Sequence, residues 1–477
     1  MKNYYIISLL LLAAILPACN VLDQEPESAF TETNFYKTSG DAVSAVNAIY
    51  DPLLSANLYN QIMYVYQDQG TDDSEWGGGR NTSNQAKNDV DKYTFTSATV
   101  YFYGTWTTCY QAINRANAAI ARVPNVAMDQ TLQARLVAEA KFLRGFYYFT
   151  LVRLFGKVPL QLAETTSLTN LDLVRSPVAD VYAQIISDFT AAEAVLPQKY
   201  TGTDIGRATQ GAAKGMLAKV YLTQGEWQKA SDKCTEIMAM ETQGIYALWA
   251  NYSDIFLIAN KNGKESLFEV QALGGGSGEG SVFEGYMRPP FDRSGFGDDP
   301  VTEGHYKAYS SRDKRRDVNV RLYTTTGTPA APASIAFPCY VSKYKDPGST
   351  GNGDGSNNFI ILRYADVLLM YAEAQYQLAE GSTAAYDAIN RIRDRAGLDD
   401  LTPGLTQAQF RDSLLLERRL ELAFEGHRWY DLVRTGKLIE AMKAQNPGIV
   451  VEQKHYLYPV PQTERDANIL LDQNDDY

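Results

Sequence analysis

The chain has 477 residues, 45% of them hydrophobic, and 44 Lys and Arg against 56 Asp and Glu give it a formal net charge of -12. That balance argues against nucleic acid and anionic lipid as partners, because both would be repelled by an acidic surface. Four cysteines (Cys19, Cys109, Cys234, Cys339) and three histidines (His305, His427, His455) are scattered too widely for a disulfide framework or a metal-ligand motif, so neither a metal nor a cofactor is expected.

At the N-terminus, Lys2 supplies a positive start and Ile6 to Leu16 an apolar run too short to span a bilayer. Leu16-Pro17-Ala18-Cys19 then forms a small-residue cleavage site. The segment reads as a lipoprotein signal over residues 1–18, with Cys19 as the lipid-bearing first residue of the mature chain. A plain secretory signal that happens to contain a cysteine is the alternative. Acyl chains would hold the protein to a membrane at about 0.8 kcal/mol per buried methylene. No later stretch is apolar enough to cross a bilayer, so residues 19–477 are expected to form a tethered body.

Helical periodicity dominates that body. Ser39 is expected to cap a first helix that buries Val43, Val46, Ile49 and Leu53. A second pattern runs through Trp106, Tyr110, Ile113, Asn117 and Ile120, and a third from Leu132 through Leu136, Leu143 and Tyr147 to Leu154. Ser176 as cap and Pro177 at the first helical position open a fourth, which Pro197 stops. Thr209 then opens a helix containing Met216, Val220 and Tyr221, Gly225 turns it, and Trp227, Ala230, Cys234 and Ile237 carry the return helix. Its small residues, Ala218 and Ala230, resemble the tetratricopeptide pattern. A like pair recurs from Val367 to Leu378 and from Tyr386 to Ala396, turned at Gly381 and ended at Gly397. The predicted fold is mainly α, a tetratricopeptide-like helical-repeat scaffold with long loop-rich insertions.

The largest insertion spans about 261–358. Glycines at 274–276, 278, 280, 295 and 297 and prolines at 289, 290 and 300 break any helix there. Phe283, Tyr286, Phe291, Phe296, Tyr306 and Tyr309 are too many aromatics for a solvated linker, so they either face a ligand or pack the insertion onto the body; for any single one, packing is the stronger reading. The loop with Asn352, Asp354, Asn357 and Asn358 could hold calcium but lacks the bidentate Glu spacing, which favours a simple turn.

The ordered motifs resemble those of the SusD/RagB-like outer-membrane nutrient-binding lipoproteins of Bacteroidetes. They begin with Leu22-Asp23-Gln24-Glu25-Pro26, Asn34-Phe35-Tyr36 and Tyr110-Gln111-Ala112-Ile113-Asn114-Arg115-Ala116, and continue through Glu139-Ala140-Lys141-Phe142-Leu143-Arg144-Gly145. The C-terminal half adds Leu362-Arg363-Tyr364-Ala365-Asp366, Asn390-Arg391-Ile392-Arg393, Glu417-Arg418-Arg419, Phe424-Glu425-Gly426-His427-Arg428-Trp429-Tyr430-Asp431 and Tyr458-Pro459-Val460-Pro461. The resemblance implies a lipid-anchored, surface-exposed outer-membrane protein that binds glycan and sits as a lid on a SusC-like TonB-dependent transporter, without enzyme activity. Peptide uptake, as in the RagB branch, and a plain helical scaffold without ligand are the rival readings.

Read as chemistry, Glu417, Arg418, Arg419, Glu421, Glu425, Arg428 and Asp431 are opposite charges at helical spacing, suited to locking helices around Trp429. A glycan reader needs flat aromatics for C–H faces and polar groups to orient hydroxyls. Trp76, Tyr101, Tyr286 and Phe296 lie in turn-rich stretches and are the expected stacking residues, while Trp106, Trp227 and Trp429 on helical faces are expected in the core. The resemblance adds Asp73 and Arg80 as polar ligand contacts. Asp72, Asp73 and Glu75 could in principle pair as hydrolytic carboxylates, but no nucleophile elbow, phosphate loop or histidine base accompanies them.

Overall fold

The computed structural model describes residues 35–76, 84–167, 169, 172–290, 292, 295–323, 339–349, 351 and 353–477. The signal segment, Cys19, Arg80, Phe291 and Asn352 lie outside the described residues. Helix α1 (Ser39–Tyr50) is capped one residue earlier than expected. Thr38 Oγ1 accepts from the Asp41 N–H while the Asp41 carboxylate accepts from the Thr38 N–H at 2.8 Å, a reciprocal box that Ser39 cannot make from inside the first turn. Helix α2 (Gln85–Lys92) has almost no apolar residues and escaped the periodicity reading; the Asn84 side chain caps it by accepting from the Lys87 N–H.

Two long helices follow, α3 (Val100–Arg122) and α4 (Gln130–Phe155), and then α5 (Val178–Glu193) with Pro177 as its N-cap. The hairpin α6 (Gln210–Thr223) and α7 (Trp227–Ala239) opens on Thr209 as expected and turns at Gly225, whose φ of 72° suits glycine alone. Strand β1 (Ser266–Val270) begins the insertion. Short helices α8 (Phe283–Met287), α9 (Glu303–Ala308) and α10 (Arg316–Asn319) and a ribbon of β2 (Val320–Leu322) with β3 (Cys339–Val341) fill it. Strand β4 (Phe359–Arg363) then pairs antiparallel with β1, Ser266 opposite Arg363 and Val270 opposite Phe359. The insertion therefore leaves and re-enters the body at one ribbon, and Phe283, Tyr306 and Tyr309 are buried against the core.

The second repeat-like pair is α11 (Tyr364–Leu378) and α12 (Thr383–Ala396), followed by α13 (Gln407–Glu421), α14 (Arg428–Arg434), α15 (Leu438–Gln445) and α16 (Gln462–Ala467). Packing runs as a chain of neighbours: α1 on α3 and α4, α4 on α5, α5 on α6, α6 on α7, α7 on α11, and α11 on α12 and α13. The protein is thus mainly helical and built on a tetratricopeptide-like scaffold. Gly215 lets α6 approach the ribbon, since a Cβ there would clash with the Leu362 side chain and crowd that of Leu267. Trp106 and Trp429 are core residues, and Trp429 stacks on Tyr458 at 5.0 Å. Trp227 departs from the expectation. At the first residue of α7 its ring lies against the hairpin turn and is only half-buried.

Charged residues hold the C-terminal half together from inside. Arg363, 1% exposed, donates to Glu265 at 2.9 Å, Glu421 at 2.6 Å and Glu425 at 2.7 Å. Arg315 links Asp313, Glu417 and Glu421, and Arg418 bridges Asp366 at 2.8 Å and Asp431 at 2.7 Å. The charge-rich C-terminal motifs are therefore scaffold. Each desolvated charge costs several kcal/mol unless fully paired, so the set stands or falls together. Among the described residues no helix is long and apolar enough to cross a membrane. Arg363→Ala, which leaves three buried carboxylates without their shared partner, is expected to lower stability by about 3 to 5 kcal/mol in a urea titration. Arg363→Lys is expected to recover little of it, because an ammonium cannot reproduce the planar fork; wild-type stability in either variant would contradict the scaffold role.

Candidate ligand-binding site

The segment 65–76 and the far side of the insertion meet at Lys87. Val65–Gln69 is a fully buried π-helical turn that packs against α14, and the chain leaving it carries Asp72, Asp73 and Trp76. That chain is stitched to the insertion by a bridge between Ser74 and Val301, by the Glu75 N–H to the Pro300 carbonyl at 3.1 Å, and by the Ser74 hydroxyl to Asp299 at 2.6 Å. On the other side, Phe296 folds back over α8. The Phe296 N–H donates to the Gly285 carbonyl at 2.9 Å and the Asp298 N–H to the Tyr286 carbonyl at 2.9 Å.

The Lys87 ammonium sits in the resulting space, 2% exposed, 2.5 Å from Asp298 Oδ2 and 2.6 Å from the Tyr64 hydroxyl. It lies over three rings, 4.7 Å from the centroid of Tyr286 and 5.2 Å from those of Tyr64 and Trp76. Burial pulls its pKa down from the ordinary lysine value and Asp298 opposes that shift. Tyr286 stacks on Phe296 at 4.8 Å with 23° between planes. Burial raises the pKa of Tyr101, from the first turn of α3, and the residue lies close enough to the group for Asp298 and Tyr286 to add to that rise. Four aromatics named from sequence are therefore brought to one place, and Tyr101, Tyr286 and Phe296 are half-buried.

Two expectations are corrected. Trp76 is only 7% exposed, because its ring is spent covering Lys87; it shapes the cluster and does not present a face. Asp73 is fully enclosed, hydrogen-bonded to His305 Nδ1 at 2.9 Å and paired with Arg419 at 2.5 Å, so no ligand can reach it. Burial alone would raise its pKa, but His305 and Arg419 hold it below the usual carboxylate range. Asp72 is engaged by Arg428 through both oxygens, at 2.8 and 2.9 Å. Arg80 lies outside the described residues. The sequence offered no sign of Lys87, Tyr64 and Asp298 as a unit, since a lysine in a short polar helix looks like any solvated lysine.

Behind the cluster lies a group of buried carboxyls. Asp68 is 1% exposed and neither of its carboxyl oxygens has a hydrogen-bond partner among the described residues. Burial, then Asp299 and Asp73, push its pKa well up. Burial likewise pushes Asp299 to about 8, with Asp298 and Asp73 adding to the rise and Ser74 opposing it. Elsewhere in the insertion, Asp354 accepts the Gly276 N–H at 3.0 Å and Asn358 donates to Glu269 at 2.7 Å, which is the turn reading of that loop. Among the described residues no group of His, Cys, Asp and Glu has metal-binding geometry. Hollows of about 270 and 720 Å³ lie elsewhere on the protein. The aromatic cluster is singled out by its half-buried rings and fixed cation.

Comparison with known proteins places this geometry in context. The sequence model of the SusD family matches residues 301–477, and one described as "Starch-binding associating with outer membrane" matches residues 21–222. SusD-like protein P2 of Formosa agariphila is 28% identical over 507 residues, covering 98% of this chain and 99% of its own. The solved structure of a laminarin-binding SusD-like protein superposes with a TM-score of 0.81 at 28% identity, over 93% of this chain and 100% of that one. Surface glycan-binding protein A from Bacteroides uniformis gives a TM-score of 0.79 at 26% identity, over 92% and 99%.

The buried carboxyls have a measurable consequence. Asp299 keeps in the folded state a proton that the unfolded chain releases near pH 4, so the stability it contributes is complete below about pH 4 and is lost as pH rises through about 8. Asp299→Asn does not titrate and is expected to flatten the fall in melting temperature between pH 5 and pH 8. Parallel pH profiles for variant and wild type would contradict the assignment.

Proposed function

The chain belongs to the SusD/RagB-like family, and from that premise we propose that it is a surface-exposed lipoprotein that captures oligo- or polysaccharide and delivers it to a SusC-like TonB-dependent transporter in the outer membrane. One observation carries the reading: Tyr101 of α3 and the stacked pair Tyr286 and Phe296 of the insertion are half-buried beside a fixed, caged lysine. Flat rings stack on the C–H faces of sugars, and hydroxyl-bearing neighbours orient the rest. The names of relatives support glycan over peptide, since one solved neighbour is a laminarin-binding protein and another a surface glycan-binding protein.

Binding without catalysis fits the carboxylates. Asp72 and Asp73 are committed to Arg428, Arg419 and His305, which takes these two out of play as acid and base across a glycosidic bond. In this reading residues 1–18 export the chain, Cys19 carries the lipid, and residues 19–477 form the body whose insertion bears half of the site.

Calorimetric titration with laminarin, starch and mixed oligopeptides tests the function. Tyr101→Ala, Tyr286→Ala and Phe296→Ala are each expected to weaken saccharide binding by about 1 to 3 kcal/mol with the fold kept. Normal saccharide binding by all three folded variants would misplace the site, and binding of peptides alone would favour the RagB-like role. For the anchor, Cys19→Ala is expected to move the protein out of the membrane fraction. Continued labelling of that variant by a fatty-acid probe would sink the anchor. Purification in mild detergent is expected to bring down a large β-barrel transporter, and recovery of the lipoprotein alone from an extract containing that transporter would count against the partnership.

A further inference from the structure

A hollow of about 720 Å³ opens at the other end of α2 from the aromatic cluster, and its volume falls in the range of small-molecule sites. Half-buried Tyr477 is the aromatic face of the hollow, backed by the enclosed rings of Phe95 and His455: Phe95 stacks on Tyr477 at 6.1 Å, and the His455 ring is 5.3 Å from Phe95 and 6.3 Å from Tyr477. Thr94 and Thr96 on one side and Val450 on the other line the opening, and Val450 is 71% exposed.

The polar groups suit an uncharged ligand. His455 Nδ1 accepts the Glu452 N–H at 2.9 Å, which leaves the ring proton on Nε2 as a donor. Burial, with Lys454 adding to it, holds the His455 pKa at about 4, so the ring is neutral in the physiological range. Each rim cation already has its carboxylate, Lys454 with Glu452 at 2.9 Å and Lys92 with Asp91 at 2.7 Å, and Asp476 adds a further carboxylate to the lining, which disfavours an anion. Two lining residues, Tyr93 and Asp476, hold positive φ angles of 58° and 68°. For Tyr93 this is the left-handed C-cap that ends α2, its N–H donating to the Val90 carbonyl at 3.3 Å.

The hollow is also close to the cluster. Lys87 and Lys92 lie on the same helix, about 7.5 Å apart at a rise of 1.5 Å per residue. Ser97, which lines the hollow, is four residues from Tyr101, at most about 14 Å of extended chain. We propose that the groove between residues 92–97 and 448–455 is a second subsite for a neutral saccharide, and that it engages the same extended chain as the aromatic cluster. The inference rests on the saccharide-binding reading above and adds to it that the preferred ligand is a linear chain long enough to occupy both places.

A ladder of linear β-glucan oligosaccharides, from disaccharide to octasaccharide, tests it. Affinity for the unmodified protein is expected to rise by about tenfold or more once the chain reaches the groove, since a tethered second contact acts at high effective concentration. Val450→Trp, which fills the opening from an exposed position, is expected to abolish that rise and leave the affinity for the shortest ligand unchanged. Hydrogen exchange on the unmodified protein, which depends on no variant, is expected to show protection of residues 448–456 by long ligands only. Equal affinities of Val450→Trp and wild type at every length, with no protection of 448–456, would overturn the groove while leaving the proposed function standing. Absence of saccharide binding at every length would overturn both.

Discussion

Pairing of buried charge across the length of the chain is the constraint on which the rest of this structure depends. Helix α13 carries Glu417, Arg418, Arg419 and Glu421, and each faces a partner that another element must deliver. Arg419 and Arg428 reach back to Asp73 and Asp72, which lie 346 and 356 residues earlier. A carboxylate enclosed like Asp73 is tolerated only with such partners in place. The C-terminal helices therefore fix where the segment leading to Trp76 can run, and with it one wall of the candidate site.

The other wall is set by the insertion, and the two walls share a second buried charge. Lys87 cannot sit among Tyr64, Trp76 and Tyr286 without Asp298, and Asp298 is placed by the backbone turn that also aims Phe296. Rings are held from behind by the ammonium and by one another, while Tyr101, Tyr286 and Phe296 stay half-buried. A rigid, half-buried aromatic surface loses little side-chain entropy when a ligand lands on it. Low entropy loss of this kind is what the proposed capture role calls for.

Much of the scaffold was legible in the sequence, for reasons specific to helices. Thr209, Gly225, Gly381 and Gly397 are local signals, and the structure uses each where the sequence puts it. Thr38 displaced Ser39 as a cap because a reciprocal bond with Asp41 outweighs a lone hydroxyl. Helix α2 was missed because Lys87, Val90 and Asp91 are buried by tertiary contacts that no period reveals. For the site, residue types were readable and their roles were not. Trp76 and Tyr286 look alike in turn-rich sequence, yet one is consumed by Lys87 and the other stays half-buried. Asp73 resembled a ligand contact because its true partners, His305 and Arg419, are far away along the chain. Motifs identified the family through its scaffold charges, which carry no information about the ligand.

The central claim is that saccharide lands on Tyr101, Tyr286 and Phe296 while Lys87 stays caged behind them. A crystal structure of the body with a bound linear glucan oligosaccharide tests this most directly. A sugar ring stacked against Tyr286, Phe296 or Tyr101, with the Lys87 ammonium still within hydrogen-bond distance of Asp298, is the expected result. Ordered sugar elsewhere on the surface, with all three rings uncontacted, would contradict it.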